Sequence, residues 1–262
     1  MTRRAIVIGD IHGCLEEFDE LLRVVEYRPG QDRLVLCGDL LDRGPDSVGV
    51  VRRAMELQAE CVLGNHEEAH LRFRMHETRK ETRPGYKNPM KDRPVGTPHY
   101  RVYASLGEAE WTWLKTLPNY IHLDDKWTVV HAGCMPGVAI EQQEEKHLTR
   151  LRTIDRVTGK MVSLEKESAT SERVHWSVLW TGPRSIVYGH NVTIEGVVMT
   201  FGGAQPLAAL LDPNIAQTLG IDTGCAYGGS LTAAIFDRGR ITFGSVQAKT
   251  AYAKIYNEKE EA

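Results

Sequence analysis

The chain has 262 residues, with 42% apolar and 26% charged residues and a formal net charge of −3. These are ordinary values for a soluble globular protein, and the length suffices for one large α/β domain. The near-neutral balance argues against a nucleic-acid or membrane-surface binder working through bulk electrostatics, and no apolar run approaches the ~18 residues of a membrane span.

Ala5–Ile8 is a short apolar run ending in Gly-Asp. It is too short for a signal peptide and reads as a first strand. Leu15, Phe18, Leu21, Leu22 and Val25 then fall at helical spacing. Pro29-Gly30 breaks the chain, and Leu34–Cys37 is a second apolar run ending in Gly-Asp. Pro45-Asp46-Ser47 reads as a helix start, with Val48, Val51, Met55 and Leu57 on the buried side. Cys61–Leu63 reads as a third strand, ending in Gly-Asn. This β-α-β-α-β order predicts a parallel sheet with right-handed crossovers. Continuous apolar strands predict that both faces of it are covered.

Residues 78–102 break the pattern with turn residues and surplus positive charge, and read as an inserted basic loop or cap. A helix is expected over Leu106–Thr116, then a strand over Trp127–Val130 ending in His131-Ala132-Gly133. The polar stretch 141–176 reads as a second insertion. From Ser185 the pattern turns to short strands: SIVYGH, IEGVVM, LAALL, LGIDTG, LTAAIF and RITFGS. The expectation is a single domain over 1–262, with cap-like insertions about 72–102 and 141–176. One sheet is begun by the β-α-β units and another is closed by the late strands. Cys14, Cys37, Cys61, Cys134 and Cys225 are odd in number and hold no CxxC pair. They read as buried free thiols of a reducing, cytoplasmic compartment.

The chemistry lies at the strand ends. Five of them carry metal-type ligands: Asp10 and His12 in GDIHG, Asp39 in GDLLDRG, Asn65 and His66 in GNHE, His131 in HAG, and His190 in YGH. Sites in open α/β sheets form at carboxyl ends of strands. Carboxylates, an amide oxygen and imidazoles gathered there suit divalent ions such as Mn²⁺, Fe or Zn²⁺. HEEAH matches a zinc-protease spacing, but Gly64-Asn65 in front of it belongs to a loop after a strand. His70 therefore reads as an ordinary helix residue able to share a face with His66. His76, His99, His122, His147 and His175 are given no role.

GDIHG, GDLLDRG, GNHE, HAG and YGH together resemble the successive motifs of the phosphoprotein phosphatase branch of the calcineurin-like metallophosphoesterases. The resemblance spans roughly residues 5–236. It implies an α/β fold, a four-layer αββα sandwich, and a centre of two divalent metal ions, Mn foremost, with Fe, Zn, Co or Ni as alternatives. Carried over, Asp10, His12 and Asp39 would hold one metal. Asp39, Asn65, His131 and His190 would hold the other, Asp39 bridging. A shared carboxylate holds two cations about 3.5–4 Å apart, and the water between them becomes an in-line nucleophile. His66 would be the general acid, Asp42 its orienting partner, and Arg43 the phosphate grip. Asn65 and Tyr227 (in IDTGCAYGGSLTA) would stand at the substrate.

The branch divides by substrate. The Asp42-Arg43 pair leans toward serine/threonine protein phosphatases acting on phosphate monoesters, the leading reading. RLRTID at 150–155 and IDTGCAYGGSLTA lean toward symmetrical diadenosine tetraphosphatases, the alternative. A catalytically silent metal-binding scaffold is the third reading. The partner is accordingly a phosphorylated protein or a nucleotide polyphosphate, with no membrane and no nucleic acid. A second phosphate-binding arginine is usual; Arg150, Arg152, Arg173 and Arg184 are the candidates. Asn191 stands where the family usually has threonine.

Overall fold

Short apolar strands with both faces buried set the layering. The computed structural model describes residues 3–90, 93–162, 172–200 and 216–254. Strands β1 (Ala5–Ile8), β2 (Arg33–Leu36) and β3 (Glu60–Cys61) alternate with helices α1 (Leu15–Val24) and α2 (Ser47–Glu56). Helices α3 (Asn65–Thr82), α4 (Pro98–Ser105) and α5 (Glu108–Leu114) lead to β4 (Tyr120–His122) and β5 (Trp127–Val130). Helix α6 (Glu145–Arg150) precedes β6 (Thr153–Asp155), β7 (Met161–Val162), β8 (Arg173–His175) and α7 (Trp176–Leu179). The chain continues through β9 (Ser185–Tyr188), β10 (Val198–Thr200) and β11 (Thr218–Gly220) to β12 (Ser230–Asp237) and β13 (Arg240–Gln247). Two five-stranded sheets result, ordered β13-β12-β1-β2-β3 and β10-β11-β9-β5-β4, beside a three-stranded sheet β7-β6-β8.

Side chains alternate across each strand, so successive residues enter different layers. Ile6, Ile8, Leu34 and Leu36 face Phe18, Leu21, Val50 and Val51 of α1 and α2. Val7 and Val35 face the other way, against Val129, Val187 and Leu219 of the second sheet. The far side of that sheet, Val130, Ile186 and Tyr188, packs on Leu148, Trp176 and Trp180. The order is therefore helix, sheet, sheet, helix. Each fully buried aliphatic side chain contributes roughly 1.5–3 kcal/mol, which holds in place even the four-residue strands β1, β2, β5 and β9.

The β-α-β-α-β segment pairs in parallel as expected. On α1, Phe18, Leu21 and Leu22 are buried as the spacing predicts. Asp46 caps α2, accepting from the Gly49 N–H at 2.7 Å. Its deepest face is Val50, Val51 and Ala54, while Val48, Met55 and Leu57 pack only partly buried. The third strand is Glu60–Cys61 rather than Cys61–Leu63. The helix expected over Leu106–Thr116 is Glu108–Leu114, started where Glu110 accepts from the Gly107 N–H at 2.8 Å.

Two expectations are corrected. Residues 78–102 are not a plain loop: α3 runs on to Thr82, and Thr97 and Pro98 start α4. The polar composition hid a helix whose buried positions are few. The late strands do not all close one sheet. The β12–β13 hairpin adds antiparallel to β1, while β9 and β11 join the second sheet beside β5. The IEGVVM run supplies β10, whereas LAALL at 207–211 and residues 163–171 of the second insertion lie outside the described residues. All five cysteines are buried and free.

Candidate metal centre

The loops after β1, β2, β3, β5 and β9 converge at the carboxyl ends of the central strands. They bring together Asp10, His12, Asp39, Asn65, His131 and His190, the ligands expected from the motifs. Their crowding makes demands on the backbone. A Cβ at Gly189 would stand 2.0 Å from Asp10 Oδ1, and one at Gly64 would stand 2.3 Å from Asp39 Oδ1. His12, Asp39, Asp42, Arg43 and His190 all have left-handed backbone, with φ between 47° and 72°. They are five of the eight described non-glycine residues with positive φ. Strain of that kind persists where surrounding structure holds it, typically at functional sites.

Asp39 is the hub. Its Oδ2 lies 3.5 Å from His12 Nε2 and 3.9 Å from His66 Nε2, and its Oδ1 lies 3.4 Å from His131 Nε2. Two clusters of potential ligand atoms share it: His12, Asp39 and His66, and Asp39, His131 and His190. His131 Nε2 is also 2.9 Å from Asn65 Oδ1 and 3.2 Å from His190 Nδ1. Asp10 joins from the other side, 4.0 Å from His12 Nε2, and accepts from the His190 backbone N–H.

The proton positions follow from the partners. His12 Nδ1 donates to the Leu41 carbonyl at 2.8 Å, and His131 Nδ1 to the Cys37 carbonyl at 2.7 Å. A carbonyl only accepts, so each Nε2 keeps its lone pair and points it at Asp39. Lone pairs converging in a buried site call for positive charge between them, and the Arg43 guanidinium reaches in to His12 Nε2. A divalent cation meets the same demand. The donor set fits it, since imidazoles anchored by backbone carbonyls around a shared carboxylate are the usual supports of metal ligands.

The electrostatics agree. Burial lowers the pKa of His12, His131 and His190, which keeps them neutral, the form that ligates. Burial, then repulsion from Asp222 and Asp39, raises Asp10. Burial would also raise Asp39, but positive charge around it, on the His131, His66 and His12 rings whenever they are protonated and on Arg43 throughout, holds it well below the carboxylate range. Adding cations would relieve the crowded carboxylates.

Beside this hub, His66 Nδ1 is 2.6 Å from Asp42 Oδ2. Burial alone would raise Asp42, but hydrogen bonds from His66 and His70, with the His99 ring close by, hold its carboxyl far below the usual range. Sequence reasoning missed the last two. His70 Nε2 lies 2.9 Å from Asp42 Oδ1, and His99 of α4 comes within 3.1 Å of the same oxygen. Nothing in the sequence placed His99 there; for His70, the four-residue spacing from His66 was the available signal. Glu67 was missed too. It is fully buried and accepts from the backbone N–H groups of Asp39, Leu40 and Leu41 at 2.8, 2.9 and 3.2 Å. Asp222 of IDTGCAYGGSLTA is buried behind Asp10, and burial pushes it up to about 6.

Arg43 also lies over the Tyr227 ring, 5.1 Å from its centroid. Both line a cavity of about 1170 Å³ that includes His66, His99, Arg101 and Arg152. Of the four candidate second arginines, Arg152 is the one on this cavity, donating to the His190 carbonyl at 3.3 Å. Arg150 pairs with Glu68, Arg184 bonds Thr128, and Arg173 belongs to β8.

Residues 3–228 match the calcineurin-like phosphoesterase family, and the chain belongs to it. It is thus a phosphoesterase of a class that uses divalent metal ions, a hydrolase. It is 29% identical to the symmetrical bis(5'-nucleosyl)-tetraphosphatase of Chromobacterium violaceum, over 88% of this chain and 91% of that one. It is also 29% identical to the asymmetrical bis(5'-nucleosyl)-tetraphosphatase PrpE of Oceanobacillus iheyensis, over 87% of this chain and 86% of that one. A solved structure provisionally assigned as a diadenosine tetraphosphatase superposes with a TM-score of 0.70 at 31% identity, covering 95% of both chains. A protein serine/threonine phosphatase of Saccharomyces cerevisiae shares the fold, with a TM-score of 0.54 at 13% identity over 94% of this chain and 80% of that one. No described helix is long and apolar enough to cross a membrane.

Proposed function

We propose that this chain hydrolyses dinucleoside polyphosphates of the diadenosine tetraphosphate class. The observation that carries the reading is the cavity. At about 1170 Å³ it exceeds what a phosphomonoester fills, and Arg43, Arg101, Arg152 and Lys254 ring it with positive charge. Tyr227 and Tyr252 on the same wall offer faces on which a base stacks. The named activities of the two curated relatives support the same choice over the phosphoprotein branch, which the leading sequence reading had favoured. An active hydrolase also answers the silent-scaffold reading, since His66 and Asp42 form the proton-donor pair a scaffold does not need.

In this reading Asp10, His12, Asp39, Asn65, His131 and His190 would hold two divalent ions, Mn²⁺ being the first to try. Such ions, when bound, would neutralise phosphate charge and acidify a bound water. The protein does the rest. Arg43 and Arg152 grip the phosphoryl oxygens flanking the scissile bond; Arg43's fork also stands against Tyr227, which fixes its plane. Asp42 holds His66 Nδ1–H, aiming Nε2 at the reacting centre. From Nε2, His66 donates a proton to the departing nucleotide oxygen. Water adds to phosphorus, the bridging P–O bond breaks, and two nucleotides leave.

The test is product analysis. With Mn²⁺ added, diadenosine tetraphosphate, a phosphoserine peptide and p-nitrophenyl phosphate are offered side by side. Symmetrical cleavage gives two ADP and asymmetrical cleavage gives ATP and AMP; either supports the proposal. Brisk turnover of the peptide with no cleavage of the dinucleotide would refute it.

A further inference from the structure

The phosphoesterase centre is not the only buried cluster of ligand-type side chains. Cys14 stands at the N-cap of α1, and Glu17 lies one turn further on. Cys225 comes from the IDTGCAYGG turn after β11. All three are buried, and one ligand atom from each lies within 4.8 Å of the others. The carboxylate is only half satisfied. Glu17 Oε1 accepts from the Lys249 N–H at 3.0 Å and from the Tyr252 hydroxyl at 2.7 Å. Glu17 Oε2 is buried with no hydrogen-bond partner among the described residues. A buried carboxylate oxygen without a donor carries a desolvation cost of about 1–3 kcal/mol or more. The cluster's two thiols are weak S–H donors, and that of Cys14 is directed at the His12 carbonyl instead.

We propose that Cys14, Glu17 and Cys225 form a second cation site, separate from the phosphoesterase centre and suited to a soft divalent ion of the zinc type. Two sulfurs and a carboxylate are the ligands such an ion selects, and they exclude Mg²⁺ and Ca²⁺. Around a tetrahedral zinc, sulfur atoms stand about 3.8 Å apart and sulfur and oxygen about 3.5 Å. With every pair within 4.8 Å, the spacing here needs shifts of little more than an ångström. Binding exchanges the two thiol protons, released to solvent, for the cation. Tyr252, whose hydroxyl donates to Glu17 Oε1, also lines the large cavity. The consequence concerns the active loops. Cys14 is two residues after His12, and Cys225 is two residues before Tyr227. An ion here fastens the turn carrying His12, the turn carrying Tyr227 and the segment Lys249–Tyr252 to one point.

The site is tested without reading activity, so its failure and that of the proposed reaction are distinguishable. Co²⁺ is added to the reduced full-length protein, and near-ultraviolet absorption is followed. The phosphoesterase centre offers only oxygen and nitrogen, so a thiolate-to-cobalt charge-transfer band reports this cluster. The band is expected in the wild type and in Cys134→Ala, and lost in Cys14→Ala and Cys225→Ala. If either of those fails to fold by circular dichroism, Glu17→Gln serves, with the band weakened at least tenfold at equal Co²⁺. No band in a protein whose five thiols all react after unfolding overturns the site. A band surviving Cys225→Ala does the same, as does a Cys14–Cys225 disulfide in place of a bound ion.

Discussion

His66 and its partner Asp42 are the residues whose effect depends most on the substrate. A general acid matters in proportion to how poor the leaving group is. A serine alkoxide is a very basic leaving group. A nucleotide phosphate, whose second pKa is about 6, departs with little help. His66→Ala is therefore expected to lower kcat by about 10²–10⁴-fold on a phosphoserine peptide, and by clearly less on diadenosine tetraphosphate. Steady-state kinetics on both substrates checks this; equal losses would show that His66 serves the centre by something other than proton donation. His70 and His99 share Asp42 with it, so three imidazoles stand on one carboxylate. Nothing in the residues around His99 signals this, because α4 reaches the site only through the fold.

Among the elements, α3 does more than present Asn65 and His66. Its first turn inserts Glu67 beneath the loop after β2, where one carboxylate takes three buried backbone donors. That contact fixes the left-handed turn at Asp39 and so the position of the hub carboxylate. Glu67→Ala removes the acceptor and leaves three N–H groups dry, a loss of several kcal/mol at about 1–3 kcal/mol each. The expected result is a lower unfolding temperature together with 10–100-fold weaker metal affinity, read by calorimetric Mn²⁺ titration. A stability loss with unchanged metal affinity would mean that the brace serves folding alone. The GNHE motif marked Glu67 by position, but periodicity did not identify its partners. Those partners come from the loop after β2, 26–28 residues away in the chain.

For the whole molecule, the informative variable is acid. Asp32 is buried and accepts from the Arg28 N–H at 2.8 Å, from the Arg28 guanidinium at 3.0 Å and from Arg4 at 3.0 Å. Burial would raise its pKa, but these bonds lower it below the usual value. A folded pKa below the unfolded ~3.9 means stability that is present above about pH 4 and lost as pH falls through the folded value. Asp32→Asn should cost about 1–3 kcal/mol at pH 7, with the gap to wild type closing at pH 3. Denaturant unfolding at the two pH values measures it; a gap that does not narrow would deny the charge any part in it.

What the sequence determined alone was local and chemical. The apolar runs ending in Gly-Asp and Gly-Asn gave the strands and the ligand types, because a strand end followed by glycine is written in a few adjacent residues. The five motifs in order gave the family. What only the tertiary structure decided was whatever depends on distant segments meeting. The β12–β13 hairpin chose β1 as its neighbour, α4 delivered His99 and Arg101 to the cavity, and Arg152, not Arg150 or Arg184, faced the site. Those outcomes follow from which faces are buried against each other across tens to hundreds of residues, and no window of adjacent residues carries that information.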